Sequence, residues 1–193
     1  MSSFSPAHPQ CDKHIYKYPC NLFCFSSPDE CIDNNKTSSN LCRNMTDSNL
    51  CRFLYLNIRS LKEAHKLDSL HTLIDSLQSV DVVLLTETWL NEHEEKYYNL
   101  PGYSLISLNR SKGRGGGVAA YVKNSYTCSI VKSVTTTTHS ILHFTVNINS
   151  KFHILLFYNP SLSNLSFFLS DFETILRELP PSNTLVMGDS NFN

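Results

Sequence analysis

The stretch Asp81–Leu90, DVVLLTETWL, decides how the rest of the chain is read. Val82 to Leu85 is an uninterrupted apolar run that opens on two β-branched valines, the pattern of a strand covered on both faces. Glu87 lies just beyond it, and open α/β sheets place ligand chemistry at the carboxyl ends of such strands. The same design recurs elsewhere. Phe53–Leu56 leads into Asn57, Ile154–Phe157 into Tyr158, and Thr184–Met187 through Gly188 into Asp189 and Asn191. If these strands share one sandwich and one direction, a carboxylate, an acid–amide pair, an amide and a phenol meet on a single rim.

With 193 residues the chain is long enough for one ordinary domain and a tail. Its formal net charge of −1 gives no global field toward DNA or an acidic membrane, so any nucleic-acid contact must be local. Every apolar run is far shorter than the ~20 residues a bilayer crossing needs. The N-terminus lacks a basic segment followed by an apolar one, so no secretory signal is visible and the expected location is intracellular. Six of the seven cysteines precede Arg52. With His8 and His14 they invite a zinc reading, but only Cys20 and Cys24 approach the knuckle spacing of structural zinc sites. Loosely packed thiols in a reducing compartment are the favoured alternative.

Residues 1–50 are rich in Ser, Asn and Cys, with little apolar periodicity and several turn clusters. Such a segment buries too little to offset its ordering entropy and reads as a disordered leader before a domain at 51–193. From Cys51 the organisation changes. A strand over Cys51–Asn57 is followed by Ser60-Leu61-Lys62-Glu63, which fits a capping box and predicts a helix starting there. Leu67, Leu70, Leu73, Ile74 and Leu77 carry its apolar face to about Gln78, completing a β–α–β unit. Further strands are expected at Tyr103–Leu108, Val118–Val122, Tyr126–Val131, Ser140–Ile148, Lys151–Tyr158 and Thr184–Met187. A second amphipathic helix, with Phe167, Phe168, Phe172, Ile175, Leu176 and Leu179 as its apolar positions, is stopped by Pro180-Pro181. Strands in antiparallel succession beside one β–α–β unit argue for α+β.

Taken together, Asn57 in LNIRSL, Glu87 in LTETWL, Gly115-Gly116-Gly117-Val118, Tyr158 in FYNPS, and Asp189 with Asn191 in MGDSN resemble the endonuclease/exonuclease/phosphatase family. Within it the likeness is to the apurinic-like endonuclease domain of non-LTR (LINE- and jockey-like) retrotransposon polyproteins, which nicks DNA to prime reverse transcription. The resemblance runs from about Cys51 to the last residue. It implies a four-layer α/β/β/α sandwich, and a metal-dependent DNA endonuclease whose partners are DNA and the reverse transcriptase domain of the same polyprotein, with no membrane. It acts in the nucleus if functional.

The resemblance also implies roles. Glu87 and Asn57 would hold a divalent metal, Mg²⁺ or Mn²⁺, since hard cations take carboxylate and water oxygens and dock phosphate through them. Asp189 and Asn191 would bind the attacking water and the scissile phosphate, Tyr158 would hydrogen-bond that phosphate, and Arg110, Lys112 and Arg114 would lie against DNA phosphates. Read without the family, Glu87 is a solvated acid at a strand end, Asn57 and Asp189-Ser190-Asn191 are turn residues, Tyr158 is a strand-end aromatic, and NRSKGRGGG is a solvated connection. Thr86 and Trp89 are expected to pack. Two departures stand out: Ser190 and Asn159 replace the family's aromatic and arginine. The family's terminal Ser-Asp-His segment is also absent, which predicts a C-terminally truncated domain with impaired activity. The alternatives are a non-catalytic mobile-element remnant acting at most as a weak binding module, and a phosphoesterase for a small phosphoester.

Overall fold

A computed structural model describes residues 20–25, 51–77, 79–110, 115–160 and 165–190. Among these residues nine strands and two α-helices follow in order, with one 3-10 turn at Glu95–Tyr97. They are β1 (Cys20–Phe25), β2 (Cys51–Asn57), α1 (Lys66–Leu77), β3 (Val82–Thr86), β4 (Tyr103–Leu108), β5 (Val118–Lys123), β6 (Thr127–Thr135), β7 (Ser140–Asn147), β8 (Lys151–Tyr158), α2 (Leu165–Leu176) and β9 (Thr184–Asp189). One sheet has the order β1-β2-β3-β5-β4, the other β6-β7-β8-β9. Each sheet holds one parallel pair. In the first, Asn57 lies opposite Thr86; in the second, Tyr158 lies opposite Asp189. The remaining neighbours are antiparallel. No helix among the described residues is long and apolar enough to cross a membrane.

Period-two alternation sorts the strand residues into layers. Phe53, Tyr55, Val82, Leu84, Val118, Ala120 and Val122 of the first sheet meet Leu142, Phe144, Val146, Phe152, Ile154, Leu156, Tyr158 and Leu185 of the second, forming the core between them. The opposite parity of the first sheet, Leu54, Leu56, Val83, Leu85, Ala119 and Tyr121, packs under Leu70, Leu73 and Ile74 of α1. Ile141 and Leu155 of the second sheet pack under Phe168 and Ile175 of α2. The result is the α/β/β/α layering expected from the sequence. At about 1.5–3 kcal/mol for each fully buried large apolar side chain, these three cores supply the main driving force.

Four details differ from the sequence expectations. The helix begins at Lys66 rather than Ser60. Ser60 has φ +82, its hydroxyl accepts the Lys62 amide at 3.1 Å, and its own amide donates to the Glu87 carbonyl at 2.7 Å. Backbone pairing with a distant loop outcompetes the local cap. On α2, Phe167 and Leu176 are 69% and 41% exposed, so the buried stripe runs through Phe168 and Ile175 instead. Strand β6 runs to Thr135, four residues beyond the expected end at Val131. The segment read as a leader contributes β1, whose Phe23 lies opposite Phe53 on the edge of β2.

Candidate active site

The site grows from strand parity. Tyr55 and Asn57 share a face of β2, Leu156 and Tyr158 a face of β8, and Leu185, Met187 and Asp189 a face of β9; all face the inter-sheet core. Where apolar residues give way to polar ones at the strand ends, the core opens as a rim. Asn57 and Asp189 are therefore the last inward positions of two strands in different sheets. The Asn57 amide nitrogen spans the gap, donating to Asp189 Oδ2 at 2.7 Å and to Glu87 Oε1 at 2.9 Å.

Glu87 reaches this point because the backbone turns there. It has φ +56 and Trp89 has φ +57, left-handed values that cost a side-chain-bearing residue about 1–3 kcal/mol. Two neighbours hold the turn. Ile58, Ser60 and Leu61 donate to the carbonyls of Thr86, Glu87 and Thr88 at 3.0, 2.7 and 2.9 Å, and the amides of Thr88 and Trp89 donate to Gly117 and Gly116 at 3.3 and 2.9 Å. Gly117, at φ +82, has no room for a side chain, since a Cβ there would stand 2.7 Å from Thr88 Oγ1. The glycine run is thus a backing plate for the acidic loop. Thr86 and Thr88 are fully buried, and the Trp89 indole lies against Gly115. Both Thr86 and Trp89 pack, as expected.

Two phenols flank the carboxylates. Burial pushes the Tyr158 hydroxyl well above the ordinary tyrosine range. The charges of Glu87 and Asp189 and its hydrogen bond to Glu87 add to the rise, while Arg110 opposes it. Tyr158 is therefore a neutral donor at any physiological pH. Tyr55 is pushed up to about 12, chiefly by burial, with Asp189 and Glu87 adding and its hydrogen bond to Thr86 opposing. That bond, Tyr55 Oη to Thr86 Oγ1, is 3.2 Å. Tyr55 escaped the sequence reading because it sits inside an apolar run. Its signal was its spacing, two residues before Asn57 on the same face.

The other acid of the opening stretch has a structural duty. Asp81 is 5% exposed at the start of β3, the far end from Glu87, and accepts the Arg52 amide and the Tyr126 hydroxyl, both at 2.9 Å. Arg110 does not extend into solvent. Its guanidinium donates to the carbonyl of Gly115 at 3.3 Å and to that of Thr137. Asn191, Lys112 and Arg114 lie outside the described residues.

The donor set suits a hard divalent cation. Two carboxylate oxygens, from the loop after β3 and the end of β9, contact one nitrogen, so they lie no further apart than the sum of those two hydrogen bonds, and Glu87 and Asp189 are the residues that would hold such a cation. As oriented, Asn57 offers its NH₂ to the acids and its oxygen to the Arg59 amide at 3.3 Å. Ligation through that oxygen requires the amide to turn over. Among the described residues no three His, Cys, Asp or Glu side chains are placed to share a metal.

Comparison with known proteins bears on the same region. Among solved structures, the chain is similar to the endonuclease domain of TRAS1, a telomere-specific non-LTR retrotransposon, with a TM-score of 0.54 and 14% identity over 74% of this chain and 60% of that one. It is similar to D. rerio TDP2 complexed with a single-strand DNA product, with a TM-score of 0.52 and 16% identity over 73% and 60%. A humanized D. rerio TDP2 gives a TM-score of 0.50 and 17% identity over 73% and 62%. At these identities the likeness concerns the fold alone, and the chain spans about three-fifths of each of these structures. No curated protein matches the sequence. Residues 54–192, which include Asn57, Glu87, Tyr158 and Asp189, match the sequence profile of one family across well over half of the chain, and the chain belongs to that family, the Endonuclease/Exonuclease/phosphatase family.

Proposed function

We propose that the chain is the core of a divalent-metal-dependent DNA endonuclease domain of the non-LTR retrotransposon type. The observation that carries this reading is the Asn57 amide drawing together Glu87 and Asp189 from opposite sheets, beside a neutral Tyr158 hydroxyl. In this reading Glu87 and Asp189, with Asn57, would hold Mg²⁺ or Mn²⁺, and Asn57 keeps the two acids together. Such a cation would supply charge neutralisation at the phosphate. Asp189 and Asn191 take hydrogen bonds from the attacking water and fix its approach to phosphorus. Tyr158 donates to a non-bridging oxygen, where charge grows as phosphorus becomes five-coordinate. Arg110, with Lys112 and Arg114, positions the flanking backbone without reading its sequence. In a complete element the product 3′ end would serve the reverse transcriptase domain of the same polyprotein in the nucleus.

The test is nicking of supercoiled plasmid by the chain with Mg²⁺, with Mn²⁺ and with EDTA, alongside Glu87→Gln. The reading expects metal-dependent nicking that falls at least about 100-fold in Glu87→Gln, in line with loss of a group that stabilises the transition state. Nicking that persists in EDTA, or a Glu87→Gln variant as active as the wild type, overturns it.

A further inference from the structure

Outside the acidic site, one buried network reaches its rim. His139 is 2% exposed in the tight turn joining β6 to β7. Its Nε2 lies 3.0 Å from Asp171 Oδ2 on α2, and its ring stands edge-on to Phe168. A carboxylate only accepts, so Nε2 carries the proton and Nδ1 faces the hydroxyls of Thr138 and Thr136 at 3.1 and 3.3 Å. Thr136 Oγ1 also accepts the amides of His139 and Thr138 at 3.0 and 3.1 Å. Through the hydroxyls of Thr136 and Thr138 the imidazole ties down the turn whose Thr137 carbonyl receives the Arg110 guanidinium.

Arg110 follows β4 in the first sheet, while Thr137 belongs to the second, so this bond crosses the sandwich at the rim. Register places it there: Leu108 of β4 pairs Val118 of β5, which pairs Thr86, and Ser140 of β7 pairs Tyr158. Glycine makes the crossing possible, because a Cβ on Gly116 would stand 2.3 Å from Arg110 Cδ. With Nη1 on Gly115 and Nη2 on Thr137, the buried Arg110 Nε has no partner among the described residues. A buried charged donor left unpaired is costly, and a small outward turn of the guanidinium would let an anionic oxygen at the rim satisfy it.

We infer that His139, oriented by Asp171, is a positioning residue that holds Arg110 at the rim with one donor left for a phosphate oxygen of the nucleic-acid backbone. The phosphate half rests on the DNA reading proposed above; the link between His139 and Arg110 does not. Two measurements on the full chain separate them. The first needs no DNA: solvent exchange of the Arg110 Nε proton, followed by nuclear magnetic resonance, should speed up at least several-fold in His139→Gln at a temperature where both proteins are folded. The second is the salt dependence of binding to a fluorescent duplex oligonucleotide. Removing one phosphate contact lowers the log–log slope by about one. Arg110→Gln and His139→Gln should each do so, and the double variant should show no further loss.

Unchanged exchange in His139→Gln overturns the inference, as do slopes whose losses add. If the wild-type chain does not bind the duplex, the DNA reading falls and the exchange measurement alone decides the link. Should His139→Gln fail to fold, Asp171→Ala, which removes the acceptor that orients the imidazole, is read by the same criteria.

Discussion

Gly117 and Gly102 offer a matched pair that tests how the acidic loop is supported. Both have φ +82, so an alanine at either carries the same left-handed penalty, about 1–2 kcal/mol. They differ in surroundings. A Cβ at Gly102 meets nothing within 4 Å, whereas at Gly117 it would lie 2.7 Å from Thr88 Oγ1, with Leu108 O at 3.6 Å and Trp89 N at 3.8 Å behind it. Thr88 is fully buried and cannot swing outward, and its hydroxyl has no hydrogen bond to lose among the described residues, so the extra cost is steric. Overpacking of this kind costs about 1–3 kcal/mol.

Urea denaturation of the two variants should therefore show a loss of about 1–2 kcal/mol for Gly102→Ala and about 2–5 kcal/mol for Gly117→Ala, with unchanged m-values. Because Thr88 follows Glu87 directly, Gly117→Ala should also weaken any metal-dependent nicking, while Gly102→Ala should leave it intact. Equal losses, or a Gly117→Ala loss below about 1 kcal/mol, would refute the claim that the glycine run exists to let the loop approach.

The outer face of the second sheet makes two further predictions. Burial holds both His143 and His153 below the ordinary imidazole value, with the neighbouring His153 adding to the effect on His143 and Lys151 to that on His153. The unfolded chain takes up these protons near pH 6.5 while the folded chain resists, so stability should be level above pH 7 and fall as pH drops through 6.5. Denaturation midpoints across pH 5–8 for wild type and His143→Phe check this, and a variant as pH-sensitive as the wild type would count against it. On α2, Phe168→Ala should cost about 3–5 kcal/mol and Phe167→Ala within about 0.5 kcal/mol, since Phe168 is 2% and Phe167 69% exposed. Comparable losses would place the helix in another rotation.

Most strands were legible because their signal is local: continuous apolar runs for β3 and β8, alternation for β4, proline stops after α2. What escaped depends on partners far along the chain. Ser60 carries a good capping pattern, yet its amide is taken by Glu87, twenty-seven residues on by sequence number, and the helix waits until Lys66. The six residues of β1 sit in a polar surround, and only their pairing with β2 makes them a strand. At the site, Asn57, Glu87, Tyr158 and Asp189 were visible as polar residues closing apolar runs. Tyr55 was hidden within one, and the tie from Arg110 to Thr137 depends on how two sheets face each other, which no local pattern encodes.

The same dependence explains why the rim stores strain. Arg59 and Ser60 have φ +44 and +82, and Glu87 and Trp89 have φ +56 and +57, so four left-handed residues that bear side chains cluster where the starts of the two loops meet. At about 1–3 kcal/mol each, such a cluster persists only where surrounding contacts over-determine it. Here the strain is offset by five backbone hydrogen bonds that run from the loop after β2, through the loop after β3, to the glycine run before β5. The interlock lets the chain leave the parallel strand direction at Thr86 and aim Glu87 back over the core toward Asn57 and Asp189. A relaxed, extended continuation would alternate Glu87 to the opposite face, under α1, where a carboxylate would meet only Leu54, Leu56 and Leu85. The left-handed turn is thus what converts a plain strand end into one half of a paired-carboxylate site.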